Sequence, residues 1–125
     1  MALKKLTTLL VVDHIEPQLP TWQRLGYAVV ARVPEEGPCG FVILAGPAGE
    51  LMLQTRESLA EDLPAVAARK PTHVLYGDVP SLAEAKRALP GATVLVGQRT
   101  TPYGATEAWL QLEDGVVLGL SEHPA

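Results

Sequence analysis

A chain of 125 residues, 47% hydrophobic and 19% charged, is expected to form one domain over residues 1–125 with a core that needs no staples. Its net charge of −4 leaves no basic face for phosphate contacts, which argues against a nucleic-acid partner. No apolar run approaches a bilayer span and the opening MALKKL lacks a signal-peptide pattern. The single cysteine, Cys39, has no intramolecular disulfide partner, so a soluble cytoplasmic protein without a membrane partner is expected.

In chain order, Leu6–Val12 is an unbroken run of apolar residues and threonine and predicts a strand buried on both faces. Asp13 is placed to cap the helix that follows. Pro17 fits a first turn, but a proline in a helix interior costs about 3 kcal/mol, so the regular helix should begin near Pro20 and end at Gly26. Ala28–Val33, Gly40–Ala45 and Glu50–Thr55 read as three further strands, separated by the polar turn Pro34–Pro38 and the tight turn GPAG. A linker helix over 57–70 opens on Ser58 and Glu61, spaced as a capping box, and is limited in length by Pro64. Thr72–Gly77 is a strand. Ser81 and Glu84 form a second capping box, before a helix whose inner face carries Leu82, Ala85, Ala88 and Leu89. Leu89-Pro-Gly91 stops that helix. Thr93–Gln98, Glu107–Leu112 and Val116–Leu120 complete the strands, with turns at Thr100–Gly104 and Glu113–Gly115.

The chain thus states one pattern twice. Asp13, Gly26 and Gly49 recur as Asp78, Gly91 and Gly115 at a nearly constant offset. Each unit of a repeat buries its apolar face against a neighbour. The fold class is therefore α+β: two βαβββ modules, 6–55 and 72–122, forming curved mixed sheets around a cleft.

Few residues advertise chemistry. His14 falls in a first helical turn, and His123 in the terminal SEHPA reads as solvated tail. Cys39 has no basic neighbour to lower its pKa. Ser58 and Ser81 are explained by capping, and no glycine-rich phosphate loop follows a strand. Trp22 reads as core packing. Trp109 and Gln111 share one strand face by alternation. With Tyr103 in the preceding loop they can line a small-molecule pocket, and for Trp109 cleft wall and ordinary core both stay open.

The order of these pieces resembles the vicinal oxygen chelate superfamily, which includes glyoxalase I, extradiol dioxygenases and bleomycin-resistance proteins. The resemblance rests on Val11-Val-Asp13, Thr21-Trp-Gln-Arg-Leu-Gly-Tyr27, Pro102-Tyr-Gly104 and Glu113-Asp-Gly115, and covers about residues 6–122. In metal-dependent members each module supplies one ligand from its first strand and one from its last. In that register the positions fall on Leu6, Leu53 and Gly119, which have no ligating side chain, and near His73. The resemblance therefore implies the metal-free, bleomycin-resistance-like branch: a homodimer that sequesters a small-molecule ligand, with no metal, no cofactor and no catalytic residue. Its expected ligand-binding residues are Tyr103, Trp109, Gln111, Gln54 and His73. The alternative is a metal-dependent lyase, isomerase or dioxygenase using His73, Gln54 and Glu122 in a shifted register. A structural dimer module without ligand is the third reading.

Overall fold

The computed structural model describes residues 2–124. The chain divides into two compact units, Thr8–His73 and, together, the residues up to Thr7 and from Val74 onward. The first unit contains most of β1 (Lys5–Val12), a 3-10 turn at Glu16–Gln18, α1 (Leu19–Arg24), β2 (Ala28–Val33), β3 (Phe41–Gly46), β4 (Gly49–Thr55), α2 (Arg56–Asp62) and α3 (Pro64–Ala67). The second is built on β5 (His73–Asp78), α4 (Leu82–Ala88), β6 (Thr93–Thr100), β7 (Thr106–Gln111) and β8 (Val117–Glu122).

Both units have the same topology, so the chain is α+β with two βαβββ modules. In the first the strand order is β2-β3-β4-β1, and in the second β6-β7-β8-β5. The first strand of each runs parallel to the last, while the two hairpins are antiparallel. Leu10 pairs with Leu53 and Leu75 with Leu118, the same sequence separation in both modules. Repetition in the sequence has become repetition of register.

Alternation decides which strand residues meet the helix. In the first module Val42 and Leu44 of β3 and Leu51 and Leu53 of β4 are buried with Ile15 and Cys39, and Leu19 and Trp22 of α1 pack against them. Trp22 also meets Tyr27 edge to face at 5.8 Å. In the second module Leu82 and Ala85 of α4 meet Ala108, Leu110, Leu118 and Leu120. Ala88 is exposed, so that helix contributes a narrower stripe than its sequence predicts. The turn after α1 needs Gly26, whose φ of 95° is open only to a residue without a Cβ.

Two caps differ from expectation. The N-cap of α2 is Thr55, whose Oγ1 accepts from the Ser58 N–H at 3.1 Å. The helix therefore starts one turn before the Ser58–Glu61 pattern places it, because β4 runs directly into it. Asp13 caps nothing: no side chain caps the 3-10 turn or α1, and its carboxylate instead meets the Arg56 Nε at 3.3 Å. By contrast, the Ser81 cap on Glu84 forms as read. Leu6 is 53% exposed, and from Thr7 onward β1 alternates buried with half-buried residues, so only one of its faces is fully buried. β6 runs on to Thr100 because Arg99 and Thr100 still pair with Glu107 and Thr106.

Thr55→Ala should destabilise the protein by about 1 kcal/mol, the usual value of a lost side-chain cap. Glu61→Ala should leave stability unchanged. Urea unfolding of the two variants checks the corrected cap assignment.

Candidate functional site

Because Ala108, Leu110, Leu118 and Leu120 face α4, their strand neighbours are forced onto the opposite face of the second sheet. Cross-strand pairing orders them into rows. One row joins Asp78, Ser121, Glu107 and Arg99 across β5, β8, β7 and β6. The next joins Tyr76, Gly119, Trp109 and Val96, and a third holds Val117, Gln111 and Thr93. A polar row thus lies beside an aromatic one.

Glu107 is the centre of this face. It is 2% exposed, and a carboxylate is costly to bury without donors. Here it has them. Oε1 accepts from the Arg99 Nε at 3.0 Å and from the Trp109 indole N–H at 3.1 Å. Oε2 accepts from the Tyr76 hydroxyl and, at 3.5 Å, from the Tyr103 hydroxyl. The Arg99 side chain stays 27% exposed, so the pair joins a buried anion to a cation at the edge of the face. Burial, and then the adjoining Glu107 carboxylate, pushes the Tyr76 phenol up.

Gly119 explains how the aromatic row fits. A Cβ built there would lie 2.6 Å from Cη2 of Trp109, closer than packed atoms approach. The indole lies over the bare glycine, with the Tyr76 ring 5.7 Å away at 34°. Trp109 is buried at 2% exposure and is held by its N–H bond to Glu107.

At the other end of the polar row, His123 Nε2 lies 3.5 Å from Asp78 Oδ1 and 3.5 Å from Ser121 Oγ. This is not a nucleophile–base–acid triad, in which the carboxylate and the hydroxyl hold different ring nitrogens. Both partners here share Nε2. His123 is thus drawn onto the site rather than left in a free tail.

Of the residues expected from the sequence, Tyr103, Trp109 and Gln111 fall in this module. Tyr103 is 68% exposed, Gln111 half-buried and Trp109 buried. Gln54 and His73 belong to the other unit. Gln54 donates its Nε2 proton to Ser58 Oγ at 3.0 Å, and exposed His73 meets Thr72 Oγ1 through Nδ1 at 3.1 Å. Glu122, the third ligand of the shifted register, accepts the Leu82 N–H at 2.7 Å and serves the start of α4. Gly119 lies under an indole, Leu53 is fully buried in the helix-side core and Leu6 points no donor anywhere. These residues do not fit a divalent metal. Among the described residues no three His, Cys, Asp or Glu side chains group to hold one. Cys39 is buried and donates to Glu16 Oε2 at 3.2 Å; burial and that carboxylate push its thiol up, which makes it a poor nucleophile. Glu107, Tyr76, Arg99 and Ser121 are the members that sequence reading missed. The alternation that puts Trp109 and Gln111 on one face also puts Glu107 there, and is the signal that could have found it.

Gly119→Ala should force the indole off its seat, costing about 1–3 kcal/mol on the scale of overpacking and changing the near-ultraviolet dichroism of tryptophan. An unchanged spectrum and unchanged stability would show that the ring does not sit there. Tyr76 carries a pH signature. Its folded pKa lies above the unfolded value of about 10, so its contribution to stability is full below that pH and is lost as pH rises past it. Absorbance titration should show Tyr76 ionising only as the chain unfolds, and Tyr76→Phe should remove that part of the alkaline loss of stability.

No protein-family model matches the sequence, and no curated protein matches it. Solved structures do. A glyoxalase/bleomycin resistance protein/dioxygenase superfamily member from Vibrio splendidus is similar at a TM-score of 0.71 and 17% identity, covering 97% of this chain and 99% of that one. A hypothetical protein from Bacillus halodurans gives 0.72 at 19% identity, over 100% of this chain and 97% of that one. Methylmalonyl-CoA epimerase from Mycobacterium tuberculosis gives 0.66 at 19% identity, over 95% and 87%. The duplicated βαβββ topology and these whole-length likenesses agree: the chain has the glyoxalase/bleomycin-resistance-like fold.

Proposed function

We propose that this protein is a metal-independent binder of a small molecule, of the bleomycin-resistance type, which sequesters its ligand as a cytoplasmic homodimer. The observation that carries this reading is the Trp109 indole lying over Gly119. Where the resemblance puts a last-strand metal ligand, this chain has no side chain, and an aromatic ring fills the space. The face around it offers what ligand recognition uses: apolar rings with a few fixed polar groups. Tyr103 is the aromatic most open to a ligand, with its hydroxyl aimed at Glu107. Glu107 holds the donors around it in place, and Gln111 adds a half-buried amide. A planar or amphipathic ligand suits such a face, and the net charge of −4 favours a cationic one in solution. Dimer formation is supported by the first module's edge strand β2, which exposes Val30 and Val33 at 61% each beside an unpaired backbone edge. No helix among the described residues is long and apolar enough to cross a membrane.

A fluorescence screen of planar and amphipathic cations, read through the tryptophans, tests this. For any hit, Tyr103→Ala should weaken binding by about 1–2 kcal/mol and leave unfolding unchanged, since its ring is mostly exposed. Trp109→Ala should instead destabilise the fold. Elemental analysis should find no tightly held divalent metal. About one Zn, Ni, Mn or Fe per chain, removable by chelator with loss of a measurable turnover, would overturn the reading in favour of a metal-dependent enzyme.

A further inference from the structure

The first module holds a pocket that the site above does not use. It has a volume of about 530 Å³ and is lined by Val11, Leu59, Ala60, Ala67 and Pro71 with Arg56 and Lys70. The volume lies in the range of small-molecule sites. Its floor is apolar, from the end of β1 and the inner sides of α2 and α3. Its two charged lining residues are both cations, in a chain whose net charge is −4.

The cations are held differently. Arg56 is anchored: Nη1 donates to Val11 O at 3.1 Å and Nε meets Asp13 at 3.3 Å, so its charge is largely offset. The Lys70 ammonium has no ion-pair partner among the described residues. Lys70 also has a φ of 52°, in the left-handed region that glycine or asparagine fills at the end of a helix. The Pro71 that follows disfavours helical conformations at this position further. Glycine would relieve that strain and keep the turn. What lysine adds there is a cation at the rim of an apolar pocket, and strained residues concentrate where side chains have work to do.

We propose that this pocket binds an amphipathic carboxylate, its apolar body against Leu59, Ala60, Ala67 and Pro71 and its anionic head on Lys70. Burial against those side chains provides the affinity, and the charge-assisted bond to Lys70 selects for anions. The site lies in the first module and is independent of the ligand face in the second.

Octanoate is the probe, with octylammonium as its charge-reversed control, titrated into the full chain and read by calorimetry and amide chemical shifts. Octanoate should bind and shift residues of the pocket, and octylammonium should not. Lys70→Gly should weaken octanoate about tenfold, the scale of one charge-assisted hydrogen bond, while raising the unfolding midpoint by relieving the left-handed backbone. Ala60→Trp, which fills the pocket from an exposed position on α2, should abolish binding with the fold intact by circular dichroism. Tyr103→Ala should leave octanoate affinity unchanged, which separates this site from the face in the second module. Absence of binding, equal affinity in Lys70→Gly, or equal binding of octylammonium would each overturn the proposal.

Discussion

Strand parity is the constraint on which the rest of the second module depends. Ala108, Leu110, Leu118 and Leu120 form the face that is buried against Leu82 and Ala85 of α4. Side chains on a strand alternate, so this burial sends Glu107, Trp109, Gln111, Gly119 and Ser121 to the other face without further choice. A one-residue slip of β7 would turn the Glu107 carboxylate into the helix-side core and Leu110 onto the polar face. The hydrophobic stripe on one face is therefore what positions the chemistry on the other.

What that face does next is a matter of satisfying a charge. A carboxylate at 2% exposure is tolerated only if its oxygens are occupied, and every group around Glu107 is a donor. Arg99, Trp109, Tyr76 and Tyr103 come from three strands and a loop, so the anion ties the sheet together as it is neutralised. Glycine at 119 belongs to the same device. It leaves the room in which the indole can lie close enough to the sheet for its N–H to reach Glu107.

The two modules share topology and register but not chemistry. Where the second module gathers a carboxylate, an arginine and aromatic rings, the first has the Gln54–Ser58 bond and a thiol held by Glu16. Two of its cations, Arg56 and Lys70, instead line the pocket of α2 and α3, elements that the second module lacks. The repeat sets the frame, and the differing side chains set the chemistry that each half presents. This is why likeness of fold to solved structures carries over topology and leaves function to the particular side chains.

Much of the fold was legible in the chain itself. Apolar runs and turn residues mark the strands, Ser81 and Glu84 mark the start of α4, and the recurring Asp and Gly positions reveal the duplication. These signals are local, and the physics behind them, alternation and capping, acts over a few residues. Trp109 and Gln111 could be placed on one face for the same reason. What the sequence alone could not decide was contact between distant positions. Asp13 has the right spacing to cap a helix, yet it meets Arg56, brought beside it by the parallel pairing of β1 and β4. Glu122 looks like a free carboxylate and is spent on the Leu82 N–H. Glu107 reads as an ordinary strand residue until β5, β8, β7 and β6 line up in that order and bring Tyr76 and Arg99 to it. Local pattern determines which residues form strands and helices and which way each side chain points. Only the tertiary structure determines what it meets there, because those partners lie tens of residues away and are chosen by sheet order.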